Sequence, residues 1–137
     1  APVYNRKYFV EAGRDLHYQA GKENRPVGLA VVKLDGLSAI NAQHGMDAGD
    51  AALVRLAACL DRHALDWDLV ARNAEKFYVL TTQQDTESFV NSLEAARKDF
   101  ASTPVKHHQT SFPAQTSMAY TTKPYDSLDA MLVALEG

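Results

Sequence analysis

The residues of this chain that could do chemistry are an adjacent histidine pair, His107-His108, a lone Cys59, and a polar run, Arg72-Asn-Ala-Glu-Lys76. Two histidines can ligate a metal. Adjacent side chains of an extended segment point to opposite faces, however, and no acidic partner stands nearby, so a solvated loop is expected there. One cysteine excludes an internal disulfide framework and a multi-cysteine metal site. Cys59 falls on the inner stripe of a helical pattern and reads as a small core residue. Asn41 and Asp50 bracket Gly45 and Gly49. Asn41 can bond backbone near a helix end, and Asp47 or Asp50 can cap the helix that follows. His44 is expected to pack. Trp67, between Asp66 and Asp68, sits in an exposed-looking connection, where an aromatic could anchor a partner or be partly buried.

The elements that must position these residues follow from apolar spacing. Tyr8, Phe9, Ala12, Leu16 and Ala20 recur at helical intervals between Asn5 and Gly21. Val27–Val32 is a short, β-branched, nearly continuous apolar run ending at Lys33-Leu34-Asp35, which predicts an interior strand covered on both faces. Gly36 to Gly45 predicts a short helix, and Ala51, Leu53, Leu56, Ala57 and Leu60 the face of the next. Leu69–Ala71 and Phe77–Thr81 predict two strands joined tightly through Arg72–Lys76, a β-hairpin in which Asn73 tolerates the positive φ of such turns. Phe89, Val90, Leu93, Ala96 and Phe100 mark a helix from Asp85 to Phe100, Ala114–Tyr120 a strand, and Ser127–Leu135 a last helix. The order α-β-α-α-β-β-α-β-α predicts an α/β (α+β) domain with a mixed sheet flanked by helices.

The 137 residues fit one domain, 1–137, and 46% hydrophobic with 23% charged residues is globular composition. A net charge of -3 excludes a strongly basic nucleic-acid footprint. No apolar run approaches the roughly 20 residues a bilayer demands, and no secretory signal opens the chain. A reducing, cytoplasmic setting without membrane contact is expected. The abrupt opening at Ala1-Pro2 and the end within a helical pattern lead us to expect a domain excised from a longer protein.

Taken in order, these segments resemble the GGDEF domains, diguanylate cyclases of bacterial cyclic-di-GMP signalling. Tyr4-Asn-Arg-Lys-Tyr-Phe9 resembles the family's N-R-x-x-F opening. Leu34-Asp35-Gly-Leu37, Ile40-Asn41, Gly45, Gly49 and Asp50 resemble its D-x-D-x-F-K-x-I-N-D-x-x-G-H-x-x-G-D block. Ala71-Arg72-Asn-Ala-Glu-Lys-Phe77 takes the place of the R-x-G-G-[DE]-E-F hairpin, and Thr116-Ser-Met-Ala-Tyr120 that of a later S-I-G-x-A strand. The resemblance implies a nucleotidyl-cyclase palm-like fold with a central mixed sheet and a signature hairpin. It implies two-metal phosphoryl transfer, with acidic side chains holding divalent ions on a triphosphate. It also implies hairpin glycines that let the nucleotide approach, and an Asn and an Asp that read guanine.

Against that pattern the departures are concentrated at the chemistry. Lys33 stands where the family has a metal-binding Asp, and Lys76 replaces the second acid of the hairpin. Asn73 and Ala74 replace the two glycines, Ser38 a Lys, and one residue is missing between Asp50 and Phe77. Asn41, Asp50 and Glu75 match. These six, Asn41, Asp50, Asn73, Ala74, Glu75 and Lys76, make up a vestigial nucleotide pocket, and Lys33 is expected to pair with Glu75. Asp35 is expected to face away from residue 33 and to be structural. The family's R-x-x-D product site falls on Leu65–Asp68, which keeps the Asp and loses the Arg, or, with the gap placed elsewhere, on Ala64–Trp67, which loses both. The resemblance therefore implies an inactive domain with no catalytic residue and no metal or other cofactor beyond weakly held GTP. A regulatory or interaction role follows, toward a neighbouring domain (an EAL-type one included) or a protein partner, as a monomer or weak dimer. An allosteric GTP-binding module without turnover, or residual cyclase activity, are the alternatives.

Overall fold

The computed structural model describes residues 3–136; Ala1, Pro2 and Gly137 lie outside them. A short strand, β1 (Val3–Asn5), leads into α1 (Arg6–Lys22), whose first turn is capped by the Asn5 side chain accepting from the Tyr8 amide at 2.8 Å. β2 (Gly28–Leu34), α2 (Leu37–His44) and α3 (Met46–His63) follow, then the hairpin strands β3 (Leu69–Asn73) and β4 (Lys76–Thr81). α4 (Thr86–Ala101) is capped by Asp85, and β5 (Val105–His107) and β6 (Thr110–Phe112) form a small separate hairpin. β7 (Thr116–Thr121) and α5 (Leu128–Glu136) close the described chain. No helix among the described residues is long and apolar enough to cross a membrane.

The main sheet runs β1-β3-β4-β2-β7, with β1 parallel to β3 and the other pairs antiparallel. β2 is therefore interior, between β4 and β7, as its apolar run predicts. Its alternation serves two cores. Ala30, Val32 and Leu34 face the layer built with α2, α3 and α4, while Leu29 and Val31 face Phe9, Tyr78, Leu80, Leu128 and Met131 on the α1 and α5 side. Three strands, β1, β5 and β6, escape the sequence reading because three residues each give too short a period to detect.

Two capping expectations are corrected. Neither Asp47 nor Asp50 caps α3, which begins five residues before Ala51, directly after Gly45 at φ +93°. That positive φ lets the chain reverse between α2 and α3 without a break of more than one residue. In the hairpin, Asn73 is the last strand residue, and the positive φ falls on Ala74 at +56°.

Candidate functional site

The site lies at the hairpin end of the sheet. Asn73 and Lys76 form the last pair of β3 and β4, leaving Ala74-Glu75 as a two-residue connection. Such connections require φ > 0 at one or both central residues, so Ala74 carries a conformation that glycine would adopt without a Cβ conflict. Arg72 Nε donates to the Ala74 carbonyl at 2.8 Å and the Leu34 amide to the Glu75 carbonyl at 3.2 Å, which pins the turn from both sides.

The register across the sheet decides where the charges meet. Lys33 on β2 is directly opposite Lys76 on β4, and on its other side opposite Ser117 on β7. Lys33, Leu34, Gly36, Leu37, Ser38 and Glu75 line a cavity of about 220 Å³. Lys33 and Glu75 share this cavity, yet among the described residues they form no ion pair, which corrects the expected pairing. The reason is parity: Glu75 lies beside Leu34, one residue beyond Lys33, so the side chain brought opposite Lys33 is that of Lys76.

Asn41 and Asp50 lie on α2 and α3, on the two arms of the Gly45 junction. Asn41 is packed so closely on Gly49 that a Cβ there would fall on its Oδ1 and lie 3.1 Å from Leu37 Cδ1. Asn41 Oδ1 is buried and has no hydrogen-bond partner, so the expected bond to backbone is not made. Asp50 is exposed on α3 and, freed of a capping role, holds no hydrogen bond or ion pair among the described residues. An acceptor oxygen without a donor and an uncommitted carboxylate are thus held on adjoining turns.

Asp68 differs from expectation. It is 4% exposed rather than part of an exposed connection, and it accepts from the Leu65 amide (2.9 Å), Thr81 Oγ1 (2.7 Å) and Gln84 Nε2 (3.0 Å). Burial pushes its carboxyl above the usual carboxylate range, and the three hydrogen bonds pull the other way. The carboxylate of the R-x-x-D remnant therefore ties the α3–β3 connection to β4, with Leu65 contributing backbone only. Trp67 next to it is 58% exposed, more than a partly buried loop residue.

Asp35 is also corrected. β2 ends at Leu34, and the Asp35 carboxylate accepts from Ser117 Oγ at 2.6 Å, the residue opposite Lys33, so Asp35 lies toward residue 33 and not away from it. His107 and His108 do not point apart: the chain turns at His108 (φ +54°), bringing the rings to 4.2 Å. His44 packs as expected, stacked on Phe112 at 4.6 Å. Cys59 is core, its thiol pushed up by burial and by the Asp99 carboxylate. Ser117 is the site residue that sequence reasoning missed, because the β2–β4 and β2–β7 registers that bring it beside Lys33 are set by strands distant in sequence and not by the hairpin turn.

A divalent cation needs converging oxygen ligands. Two ammonium groups face each other where the resemblance places carboxylates, and among the described residues no three His, Cys, Asp or Glu side chains converge to hold a metal ion. The residues present do not fit one.

No curated protein matches this sequence. Solved structures do. The GGDEF domain of DgcB from Caulobacter crescentus, in complex with c-di-GMP, superposes with TM-score 0.91 at 22% identity, covering 98% of this chain and 81% of that one. The GGDEF domain of YfiN from Pseudomonas aeruginosa gives TM-score 0.90 at 19% identity, over 98% and 86% of the two chains. Diguanylate cyclase SiaD of Pseudomonas aeruginosa, in complex with its activator SiaC, gives TM-score 0.86 at 22% identity; 95% of this chain is covered, but it spans only 50% of the length of SiaD. At such identities the likeness carries the fold, a mixed sheet with a signature hairpin. The family described as "Diguanylate cyclase, GGDEF domain" matches residues 1–133, and the chain belongs to that family, the GGDEF domains of cyclic-di-GMP signalling.

Proposed function

We propose that this GGDEF domain does not form cyclic dinucleotide and acts as a regulatory or protein-interaction module in cyclic-di-GMP signalling. The observation that carries the reading is the Lys33–Lys76 pair. Phosphoryl transfer between two triphosphates depends on cations that neutralise the phosphates and help activate a hydroxyl. Two ammoniums repel such cations and offer them no oxygen ligand. The partner is a neighbouring domain of a longer chain, an EAL-type domain among them, or a separate protein, the setting cytoplasmic, and the domain a monomer or weak dimer. Diguanylate cyclase SiaD, half of whose length this chain spans, is found in complex with its activator SiaC, which supports reading the domain as part of a partner-regulated assembly. Incubation with GTP and magnesium, followed by chromatography of the nucleotides, tests it. Unchanged GTP is expected, and cyclic-di-GMP above a no-protein blank would overturn the reading.

One observation favours a second reading, GTP binding without turnover: the unpartnered, buried Oδ1 of Asn41 beside the uncommitted Asp50. Buried acceptors are almost always satisfied, and a guanine edge would supply donors. In that case calorimetry detects GTP binding that Asp50→Ala abolishes; no heat at millimolar GTP leaves the interaction module alone.

A further inference from the structure

We propose that the end of the sheet remote from the hairpin carries a binding site for a small carboxylate with an apolar body. A cavity of about 280 Å³ opens between the C-terminal half of α1 and the β7–α5 connection, with His17, Gly21, Arg25, Val27, Lys123 and Tyr125 in its lining. β2 starts beside it and runs seven residues to the hairpin end, so the two places are about 20 Å apart. Val27 and Tyr125 pack on the α1 and α5 side of the sheet. Asp68 borders Leu60, Ser92 and Ala96 on the opposite side, so the cavity is separate from the product-site remnant as well.

Gly21 is the first sign that this space is kept open. It lies within α1, which runs to Lys22, and the left-handed residue beyond the helix is Asn24 at φ +54°, so no backbone conformation demands glycine at 21. A Cβ there would meet nothing within 4 Å, so no packing demands it either. Glycine weakens a helix relative to alanine, and what the bare Cα does here is leave the cavity wall unfilled.

The charges give the second sign. Arg25 is held by the Thr82 carbonyl and by Glu23 at 2.7 Å, an ion pair that is neutral as a whole. No acidic side chain lines the cavity, and Asp129 at the start of α5 is taken by Arg14 at 3.0 Å. Among the described residues the Lys123 ammonium has no ion-pair partner, and the His17 imidazole and Tyr125 hydroxyl have no hydrogen-bond partner. Pro26, Val27, Pro124 and the Tyr125 ring supply the apolar wall. One unpaired ammonium beside such a wall suits a monoanion: its carboxylate takes a charge-assisted hydrogen bond from Lys123, and its apolar body covers the prolines and the ring. A more highly charged phosphate compound would bring charge that this lining leaves unmatched. The inference goes beyond the interaction-module reading, because it gives the domain a ligand of its own, seated where it bridges α1 to the segment after β7.

The test is titration of the isotope-labelled chain with sodium phenylacetate, followed through its backbone amide resonances. Saturable shifts are expected at Gly21, Arg25, Thr122 and Lys123. Phenylacetamide, which lacks the charge, and sodium acetate, which lacks the body, should each bind roughly 10-fold or more weakly. Gly21→Leu fills the cavity wall and should abolish binding, while its unfolding midpoint stays at or above that of wild type because leucine is the better helix former. Lys123→Gln changes an exposed connection without touching the helix and should weaken phenylacetate binding roughly 10-fold. The proposal is overturned by the absence of saturable shifts with phenylacetate, cyclohexylacetate and indole-3-acetate alike at millimolar concentration. Binding that survives both Gly21→Leu and Lys123→Gln, or inorganic phosphate binding as tightly as phenylacetate, overturns it too. None of these outcomes bears on the assay with GTP and magnesium, so the inactive-module reading stands or falls separately.

Discussion

Replacing Asp68 by Ala tests whether the remnant of the product-site motif has become a structural clasp. The substitution deprives three donors of their acceptor: the Leu65 amide, the buried Thr81 hydroxyl and the Gln84 amide. At about 1 kcal/mol per net hydrogen bond, partly offset because a desolvated carboxylate is also removed, the expected loss is about 2–3 kcal/mol. With an unfolding entropy of about 2.1 cal/mol/K per residue, that corresponds to a fall in Tm of about 8 °C for a domain of this size. Urea unfolding followed by circular dichroism measures it, with the m-value checked for constancy. The pH dependence adds a second arm. Burial holds the Asp68 carboxyl above the ordinary range, so the folded chain keeps this proton longer than the unfolded one. Its proton-linked stabilisation is fully present below the unfolded value and is lost as pH rises through the folded value. Wild type should therefore lose stability relative to Asp68→Asn as pH is raised from about 4. A loss below about 0.5 kcal/mol in Asp68→Ala, the scale of an ordinary surface substitution, would refute the clasp and return Asp68 to the list of ligand-binding candidates.

The other stability predictions concern backbone geometry. Ala74→Gly should stabilise the domain by about 0.5–1 kcal/mol, because relief of the left-handed Cβ conflict outweighs the extra freedom of the unfolded chain; an unchanged urea midpoint would contradict the strained turn. Gly49→Ala should destabilise by about 1–3 kcal/mol despite the better helix propensity of Ala, since its Cβ would displace Asn41; a raised Tm would show that α2 and α3 can separate at no cost.

How much could be read from the sequence depended on the range of the interactions. The extent of α1 from its apolar spacing, the interior position of β2 and the inward stripe of Phe89, Leu93, Ala96 and Phe100 are set by local chemistry and period, and all were legible. Position on either side of a turn was not. One residue of register decides whether Lys33 meets Glu75 or Lys76, and the resemblance, with a residue missing in that stretch, gave no independent check. Asp50 was misread as a cap because the apolar face of α3 becomes evident only at Ala51, whereas the helix starts at Met46. Asp68 was misread because charged residues around a tryptophan suggest solvent, and its three donors come from positions up to sixteen residues away. The positions forming the candidate site were nearly all nameable in advance; which of them touch was not.

The facing lysines also constrain how this sequence can change. Because Lys33 and Lys76 are direct neighbours across two strands, replacing either one by an acid creates an opposite-charge cross-strand pair. Such a pair stabilises the sheet by a few tenths of a kcal/mol to about 1 kcal/mol and satisfies both side chains. It leaves nothing for a cation to bind. A route back to a carboxylate-lined site therefore runs through an intermediate that is better folded and no better at holding metal, so selection for stability alone would stop it halfway. The mixed pair is thus the stability minimum of this rung, a stopping point for stepwise change from two lysines and from two acids alike.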